Sequence, residues 1–373
     1  MPDHTLSRHV DRTLVGVASV NVKSFAIPLT SPWVSWHALP PAHRDNWEGG
    51  SMKVSTFGFI ALLGLGVSAD AADMQVAAVT NGKLAVQSKP IPEPGANEVR
   101  IKVRAAAVNP VDYGRFSSRE GAVPGFDASG VIDTVGPSVS GWKKGDEVIV
   151  MAGGGTYGQY VVAPPDRVAR KPAKMSFEEA SGIPVVGETA YRALHEVAKL
   201  QKGQRILVHG GAGGVGSAGV QIAKAQGAYV IATASPRNHD FLRSIGADEV
   251  IDYNTVRFEE KVKGVDVVLN TVDLDTGTRS LTPGVLKPDG FLVTVVQPTT
   301  AAQCAAAKVR CGRPDRNTGP SVNELLTKVG ALVDAGKYKV NVDQKFTLAT
   351  AQEAWDVGRQ KHTRGKLVIV VPQ

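Results

Sequence analysis

Short strand-like runs fill the chain from residue 76 to residue 162. Residues 76–79 are apolar, residues 98–104 (EVRIKVR) alternate apolar and polar side chains, and further short runs lie at 130–136, 146–150 and 160–162. Gly and Pro residues separate these runs. Short runs bounded by turn residues, with period-two alternation, are typical of strands that bury one face. This part of the sequence therefore predicts a compact β-rich domain.

The pattern changes at Ser176. Ser176 and Glu179 have the spacing of a capping box, which predicts the start of a helix, and the next helix is expected over 189–200. Apolar runs then alternate with helical stretches and predict strands at 205–209, 229–233, 249–253, 265–271 and 290–296. Such alternation predicts an α/β doubly wound parallel sheet with ligand at the carboxyl ends of its strands. A helix over 322–335 follows, and short strands at 340–346 and 366–371 are expected to return to the first domain.

The strongest chemical signal is the glycine-rich turn between the strand 205–209 and a helix predicted over 217–226. Its residues satisfy G-x-G-x-x-G in the strand–turn–helix context that gives the motif meaning. The first Gly permits the tight turn, the second lets backbone approach a pyrophosphate, and the third lets helix and strand pack closely. The alternative is a purely structural turn. The predicted dinucleotide contacts are Gly211, Gly213, Gly214, Val215 and Gly216.

The end of the second strand indicates which dinucleotide is bound. An NAD site usually has Asp or Glu there, to bind the ribose 2′-hydroxyl. The strand 229–233 instead runs into Ala-Ser-Pro-Arg-Asn, without an acid. Ser235, Arg237 and Asn238 suit a 2′-phosphate, although Arg237 as a solvated helix residue is the alternative. The sequence therefore predicts NADP(H).

The first 51 residues differ from the rest. They hold Trp33, Trp36 and Trp47, which are three of the five Trp residues, and sustain no apolar period. Glu48-Gly49-Gly50 can be encoded by a purine-rich run that resembles a bacterial ribosome-binding site. Residues 1–51 are therefore interpreted as disordered or untranslated, with translation starting at Met52.

Residues 52–73 have the organisation of a signal peptide. Lys53 supplies a positive charge, residues 57–67 (FGFIALLGLGV) an apolar core, and residues 69–71 (ADA) a small-x-small cleavage site. Eleven helical residues span about 16 Å, too short to cross a bilayer. This predicts export to the periplasm. A buried element of the fold is one alternative, and a cytoplasmic protein that starts at Met74 is another.

Composition narrows the classes of partner. The formal charge is +7, without a run of five like charges or a basic stripe interleaved with aromatic residues. Nucleic-acid binding is therefore unsupported, and the charge is interpreted as favouring solubility and anionic ligands. No later segment approaches the roughly 18 uninterrupted apolar residues of a membrane helix, so no stable membrane insertion is expected.

Several further motifs, taken with the glycine-rich turn, carry a family resemblance from about Met74 to the C-terminus. They are AVNPVD at 107–112, GFDASGVIDTVG at 125–136, GDEV at 145–148, and TASPRNHDFLRSIGADEVIDY at 233–253. The sequence resembles the medium-chain dehydrogenase/reductase superfamily, and within it the zinc-free quinone oxidoreductase branch of the zeta-crystallin type. The resemblance implies a GroES-like catalytic domain at 74–190 and 338–373 around a Rossmann domain at 191–337. It also implies a homodimer that uses NADPH to reduce a small-molecule quinone or enone.

The resemblance also implies roles for individual residues. Asn109, Asp112 and Tyr113 lie on the loop that lines the substrate cleft in this family. Tyr113 is a candidate proton donor or stacking ring, whereas Asn109 and Asp112 have the alternative of fixing the loop through side-chain-to-backbone bonds. Three further positions resemble cofactor contacts: Thr189 near the nicotinamide, Tyr253 beside the 2′-phosphate, and Arg364-Gly365-Lys366 near the C-terminus.

A catalytic metal is not expected. Zinc members of the superfamily place a Cys ligand at about the position of Asn109–Asp112, and this chain has no Cys before Cys304. His195 and His209 are interpreted as core or surface residues of a helix and a strand. Hydride transfer then depends on placing the acceptor against the nicotinamide, and a water or a nearby hydroxyl supplies the proton.

The polar segment between Gln297 and Glu324 departs from the family pattern of a strand and a loop. It contains both cysteines, Cys304 and Cys311, which could close a small disulfide loop in an exported protein. The expected function is NADPH-dependent reduction of quinones or other conjugated carbonyl compounds. The alternatives are an exported protein that binds a flat ligand without turnover, and an enoyl-thioester reductase.

Overall fold

Residues 72–373 are the part of the chain that the computed structural model describes. The predictions for the segment 1–51 lie outside the described residues. So does the predicted signal peptide 52–73, apart from its last two residues. Within 72–373, no helix combines the length and apolar content needed to cross a bilayer.

The first part of the described chain is rich in strands. A two-stranded antiparallel ribbon precedes a seven-stranded sheet in which β3 pairs with β4 and with β6. Residues Ile101 and Val103 of β3 are fully buried and alternate with partly exposed neighbours, as the period-two pattern predicts. The strands are β1 (Asp73–Thr80), β2 (Lys83–Pro90), β3 (Val99–Val108), β4 (Asp127–Val135), β5 (Glu147–Met151), β6 (Tyr160–Ala163) and β7 (Val168–Arg170).

Three short helices accompany these strands. They are α1 (Pro110–Phe116), α2 (Phe177–Ser181) and α3 (Pro184–Tyr191). The predicted capping box is confirmed: the Ser176 side chain accepts a hydrogen bond from the Glu179 backbone, and the Glu179 carboxylate accepts one from the Ser176 backbone. The helix expected over 189–200 is wrong in its bounds, because α3 starts five residues earlier and passes into a wider π-type segment at Arg192–Val197.

A six-stranded parallel sheet follows, in the order β10-β9-β8-β11-β12-β13. Residues Ile206 and Val208 of β8 point into one core and Leu207 into another, so both faces of the sheet are covered. The predicted doubly wound sheet is confirmed. Its strands are β8 (Arg205–His209), β9 (Tyr229–Ala234), β10 (Glu249–Asp252), β11 (Val265–Asn270), β12 (Leu286–Thr294) and β13 (Arg310–Gly312). The connecting helices are α4 (Gly214–Ala225), α5 (His239–Ser244), α6 (Phe258–Lys261), α7 (Leu274–Arg279) and α8 (Ala301–Ala306).

The last part of the chain runs from α9 (Val322–Asp334) through β14 (Val342–Thr347) and α10 (Ala351–Arg359) to β15 (Lys366–Val370). Strand β15 pairs antiparallel with β3 and parallel with β14, so the end of the chain completes the β-rich sheet. The turn before β15 lies against the parallel sheet's glycine-rich turn, because the Gly365 backbone N–H donates to the Ala212 carbonyl at 2.9 Å. This contact places residues of both sheets at one site.

Candidate active site

The glycine-rich turn leaves the carboxyl end of β8 beside the point where the strand order reverses between β8 and β11. A Cβ on Gly216 would lie 2.1 Å from the Gly210 carbonyl oxygen, and a Cβ on Gly211 would lie 3.0 Å from the Ala232 Cβ. Both glycines therefore permit the close packing of helix and strand. A Cβ on Gly213 would have only the Gly210 oxygen near it, at 3.5 Å. The backbone is thus open at Gly213, where α4 begins, and this arrangement fits a pyrophosphate.

The other two predicted members of this turn face the interior. A Cβ on Gly214 would lie 2.9 Å from Val186 Cγ1 and 3.3 Å from Lys366 Cδ, so Gly214 lets α3 and the turn before β15 approach α4. The Val215 side chain packs partly buried against the larger hydrophobic core. These positions fix the turn, and their backbone N–H groups lie in the first turn of α4.

Two guanidinium groups stand beyond the end of β9. The Arg364 side chain donates to Asn238 Oδ1 at 2.8 Å through Nε and to the Arg237 carbonyl at 2.8 Å through Nη2. Arg237 is exposed and donates to the His362 carbonyl at 2.7 Å. Ser235 is half-buried and lies two residues before Arg237. Its hydroxyl accepts a hydrogen bond from Asn238 Nδ2 at 3.3 Å. The structure therefore brings Ser235, Arg237 and Asn238 together, and it places Arg364 of the predicted segment 364–366 beside them.

Asn109 and Asp112 are buried and hold the loop after β3. Asn109 caps α1, and its backbone N–H donates to Asp112 Oδ2 at 2.8 Å. The same oxygen accepts from the Tyr157 hydroxyl at 2.8 Å, while Asp112 Oδ1 accepts from the Phe126 backbone at 3.2 Å. Burial raises the pKa of the Asp112 carboxyl to about 7, although these donors and Lys366 oppose the shift. The contacts agree with the loop-fixing alternative.

Lys366 is buried beneath that loop. Its ammonium donates to Asn109 Oδ1 at 2.5 Å and to the Val108 carbonyl at 2.9 Å, and it lies 3.9 Å from Asp127 Oδ2. Burial lowers the pKa of Lys366 and raises that of Asp127 to about 6. The charged end of Lys366 is thus used inside the protein, and only its stem lies near Gly214. Its role as a cofactor contact stays a prediction.

Tyr113 and Tyr253 lie apart from this network. The Tyr113 hydroxyl donates to the Gly358 carbonyl on α10 at 3.3 Å, and its ring meets Trp355 edge-on. Burial raises the pKa of Tyr113, with Arg359 opposing the shift. Tyr253 follows β10 and is 54% exposed. Tyr113 therefore packs against α10 in this structure, and Tyr253 is open to a ligand near the end of the sheet.

An ion cluster on α3 surrounds Thr189 and was missed by the sequence analysis. Thr189 is buried, and its hydroxyl accepts from Arg316 Nη2 at 2.8 Å. Glu188 is fully buried and pairs with Arg192 at 2.6 Å and with Arg316 at 2.8 Å. The polarity of the segment 297–324 was visible in the sequence. Its contact with α3 depends on the fold.

Comparison with known proteins agrees with this architecture. Residues 95–173 match the alcohol dehydrogenase GroES-like domain, and residues 245–369 match the family described as zinc-binding dehydrogenase. The chain is 33% identical over 307 residues to the chloroplastic quinone-oxidoreductase QR1 of Triphysaria versicolor, covering 75% of this chain and 92% of that protein. This chain belongs to the quinone oxidoreductase branch of the medium-chain dehydrogenase/reductase superfamily. The family resemblance and the fold class predicted from the sequence are both confirmed.

Solved structures support the same assignment. The quinone oxidoreductase from Coxiella burnetii is 33% identical, with a TM-score of 0.71 over 80% of this chain and 98% of that one. The CurK enoyl reductase is 30% identical, with a TM-score of 0.73 over 80% of this chain and 99% of that one. This member of the quinone oxidoreductase branch is therefore an oxidoreductase, and its family uses a nicotinamide cofactor.

The two histidines considered for a metal site lie in separate places in this oxidoreductase. His209 is buried in β8 between the Thr233 and Ser280 hydroxyls, and burial lowers its pKa to about 3. His195 stacks on Tyr191 with ring centroids 4.2 Å apart, and burial lowers its pKa. Among residues 72–373, no group of three or more His, Cys, Asp and Glu side chains is arranged to hold a metal ion.

The two cysteines form a disulfide, Cys304–Cys311, with Cα atoms 6.1 Å apart. The bond joins α8 to β13, the edge strand of the parallel sheet. The segment between Gln297 and Glu324, which departs in sequence from the family pattern of a strand and a loop, contains the helix α8, capped by Thr300. The Thr300 side chain accepts from the Gln303 backbone, which is a local signal that the sequence contained.

Proposed function

We propose that this protein is an NADPH-dependent reductase of quinones or other conjugated carbonyl compounds, and that it transfers hydride directly and without zinc. The observation that carries the proposal is the open backbone at Gly213, next to a strand end that has Arg237 and no acid and is contacted by Arg364. The family supplies the coarser function, oxidoreduction with a nicotinamide cofactor.

The residues present fit NADPH. The turn 211–216 would bind the pyrophosphate through backbone N–H groups at the N-terminus of the 12-residue helix α4. Ser235, Arg237 and Asn238 would bind the 2′-phosphate, and the exposed ring of Tyr253 would lie beside it. When bound, NADPH supplies the hydride. A guanidinium at this position favours NADPH over NADH because its hydrogen bonds to phosphate are charge-assisted.

The loop after β3 supports the zinc-free part of the proposal. The position at which zinc members place a Cys ligand is held by Asn109–Asp112, and the Asp112 carboxylate already accepts three hydrogen bonds. Asn109 and Asp112 would therefore position the loop. Because the Tyr113 hydroxyl is bonded to α10, water is the favoured source of the product's proton.

Enoyl-thioester reduction is the second candidate, and the similarity to the CurK enoyl reductase favours it. A panel of 1,4-naphthoquinone, 3-penten-2-one and crotonyl-CoA, assayed after metal chelation, tests the proposal. Turnover of the first two that survives chelation supports it. Activity confined to crotonyl-CoA favours the second candidate. Tight NADPH binding without turnover of any acceptor favours a ligand-binding protein.

The proposal extends to location and assembly. The Cys304–Cys311 disulfide supports export to the periplasm, since disulfides persist in oxidising compartments. Mass spectrometry of the native N-terminus tests this: cleavage after residue 71 supports export, and a terminus at Met74 supports the cytoplasmic alternative. The family resemblance favours a homodimer, which analytical ultracentrifugation would test.

A further inference from the structure

Arg316 lies at the same edge of the parallel sheet as the glycine-rich turn. It follows β13, whose carboxyl end is at Gly312, as the glycine-rich turn follows the carboxyl end of β8. Its Nη2 donates to Thr189 Oγ1 at 2.8 Å, and its Nε donates to Glu188 Oε2 at 2.9 Å. Thr189 is the residue expected near the nicotinamide. The Arg316 guanidinium is therefore one hydrogen bond away from the proposed site of hydride transfer.

Hydrogen bonds from the buried Arg192 side chain hold the segment that carries Arg316 in place. Arg192 is 2% exposed, and its three nitrogen atoms donate to Glu188 Oε1 at 2.6 Å, to the Thr318 carbonyl at 2.8 Å and to the Pro320 carbonyl at 2.8 Å. These bonds attach the segment to α3 on both sides of a turn. The position of the Arg316 side chain is thus set by buried groups before any ligand arrives, which lowers the cost of binding.

Arg316 shares its buried carboxylate partner with a second guanidinium group. One buried carboxylate, that of Glu188, faces two guanidinium groups, those of Arg192 and Arg316. The neighbouring Lys366 ammonium faces two other buried carboxyls, Asp112 and Asp127, and lies 3.9 Å from the second. Each of the three Arg192 nitrogens donates a hydrogen bond, whereas the Arg316 side chain is 45% exposed and its Nη1 makes no hydrogen bond within residues 72–373. An exposed guanidinium nitrogen without a hydrogen-bond partner among residues 72–373 therefore lies beside Thr189.

We propose that Arg316 determines specificity by binding a carboxylate on the acceptor, so that the preferred substrates are conjugated carbonyl compounds that carry an acidic group. The inference rests on the proposed function for the reaction itself. A guanidinium suits this role because its planar fork matches a carboxylate.

A matched pair of acceptors tests this inference. Both 4-oxo-2-pentenoate and 3-penten-2-one are conjugated ketones, but only the first carries a carboxylate. In Arg316→Gln we expect KM for 4-oxo-2-pentenoate to rise about tenfold, a modest value because the arginine is half exposed. We expect kcat to stay within about twofold. KM for 3-penten-2-one, which Arg316 affects only through Glu188 and Thr189, should change much less than KM for 4-oxo-2-pentenoate. Arg316→Lys should recover part of the loss, and Arg310→Gln, which removes the same charge from β13, should cause none.

A binding measurement keeps the inference testable without turnover. Saturation-transfer NMR would compare 4-oxopentanoate and 2-pentanone, the two reduced products, on wild type and Arg316→Gln in the presence of NADP+. Selective loss of the anion's signal in the variant supports the inference. Equal effects on both compounds, or none, overturn it. If neither acceptor is reduced by wild type although NADPH binds, the proposed function fails, and the NMR comparison alone decides the role of Arg316.

Discussion

The Lys366 ammonium donates a 2.5 Å hydrogen bond to Asn109 Oδ1, which ties the start of the last strand to the loop after β3. Two residues earlier, Arg364 bonds to Asn238 beyond the end of β9. The short turn between α10 and β15 thus contacts both the β-rich sheet and the parallel sheet. The proposed cofactor site therefore depends on residues that are far apart in sequence.

The glycine-rich turn gives a prediction that separates folding from binding. Gly213→Ala should change the free energy of unfolding by less than about 1 kcal/mol, because the new Cβ makes only an ordinary contact of 3.5 Å. The same methyl group would obstruct the pyrophosphate, so we expect the Kd for NADPH to rise at least about tenfold. Calorimetric titration and denaturant unfolding measure the two effects.

Gly216→Ala is the matched comparison. Its Cβ would lie 2.1 Å from the Gly210 oxygen, so it should weaken NADPH binding and also destabilise the protein. Equal stability of the two variants would contradict the described turn.

Arg237 is predicted to select the cofactor. Arg237→Gln should raise the Kd for NADPH about tenfold, the lower end of the range for charge-assisted bonds, because the side chain is exposed. The Kd for NADH should not change, since NADH lacks the 2′-phosphate. Fluorescence titration with both nucleotides measures this. Arg243→Gln is the control, because Arg243 is an exposed arginine on α5 that pairs with Asp240. A parallel loss of NADH binding in Arg237→Gln would argue against a phosphate contact.

Because folding raises the pKa of the Asp112 carboxyl, we expect the free energy of unfolding to depend on pH. This pKa rises from 3.8 to about 7 on folding, so the folded state holds the proton more tightly. That contribution to stability is complete below pH 3.8 and is lost as the pH rises through about 7. Above this pH the Tyr157 hydroxyl donates to an ionised carboxylate, which is the stronger bond.

Removing the Tyr157 hydroxyl tests whether the Asp112 carboxyl titrates near pH 7. Tyr157→Phe should cost about 2 kcal/mol at pH 8.5 and about 1 kcal/mol at pH 5, as measured by urea unfolding. Tyr338→Phe is the control, since Tyr338 is also buried but its hydroxyl makes no hydrogen bond within residues 72–373. A cost for Tyr157→Phe that is the same at both pH values would show that Asp112 does not titrate in this range.

The disulfide predicts a measurable contribution to stability. Replacing Cys304 and Cys311 together by Ser should lower the free energy of unfolding by about 2.5 kcal/mol, the chain-entropy value for a loop of this length. A thiol reductant should lower the free energy of unfolding of the wild-type protein by a similar amount. The same reductant should not affect the double variant. Thiol titration of protein from its natural source, after denaturation without reductant, should find no free cysteine. Two free thiols in the native protein would remove this support for export.

Local signals predicted the parallel sheet and the glycine-rich turn because short stretches of sequence specify the strands and the turn. The apolar run 205–209 and the capping pair Ser176 and Glu179 specify their structures through neighbours in sequence. By contrast, the strand β2 was not predicted, since its residues alternate only weakly between buried and exposed positions. The helix α10 was also missed. Its apolar face is recognised only once it covers β15 and β2.

In the candidate site, too, contacts between neighbours in sequence were predictable and contacts between distant residues were not. The residues at the end of β9 adjoin one another in sequence, so the chain itself brings them together. The Arg316 contact with Thr189 joins residues 127 positions apart, and no local pattern reports it. The direction of the Tyr113 hydroxyl likewise depends on a residue that is distant in sequence, because it donates to Gly358 of α10, 245 residues away.

Direct hydride transfer is tested by following deuterium into the product of 3-penten-2-one from NADPH that carries deuterium at both C4 positions. The wild-type protein, assayed after metal chelation, should give 2-pentanone with one deuterium on the former alkene carbon remote from the carbonyl. A mass spectrum would detect it. Solvent should supply only the proton at the neighbouring carbon. Product without deuterium at that position, or no product from protein that binds NADPH, would contradict direct hydride transfer.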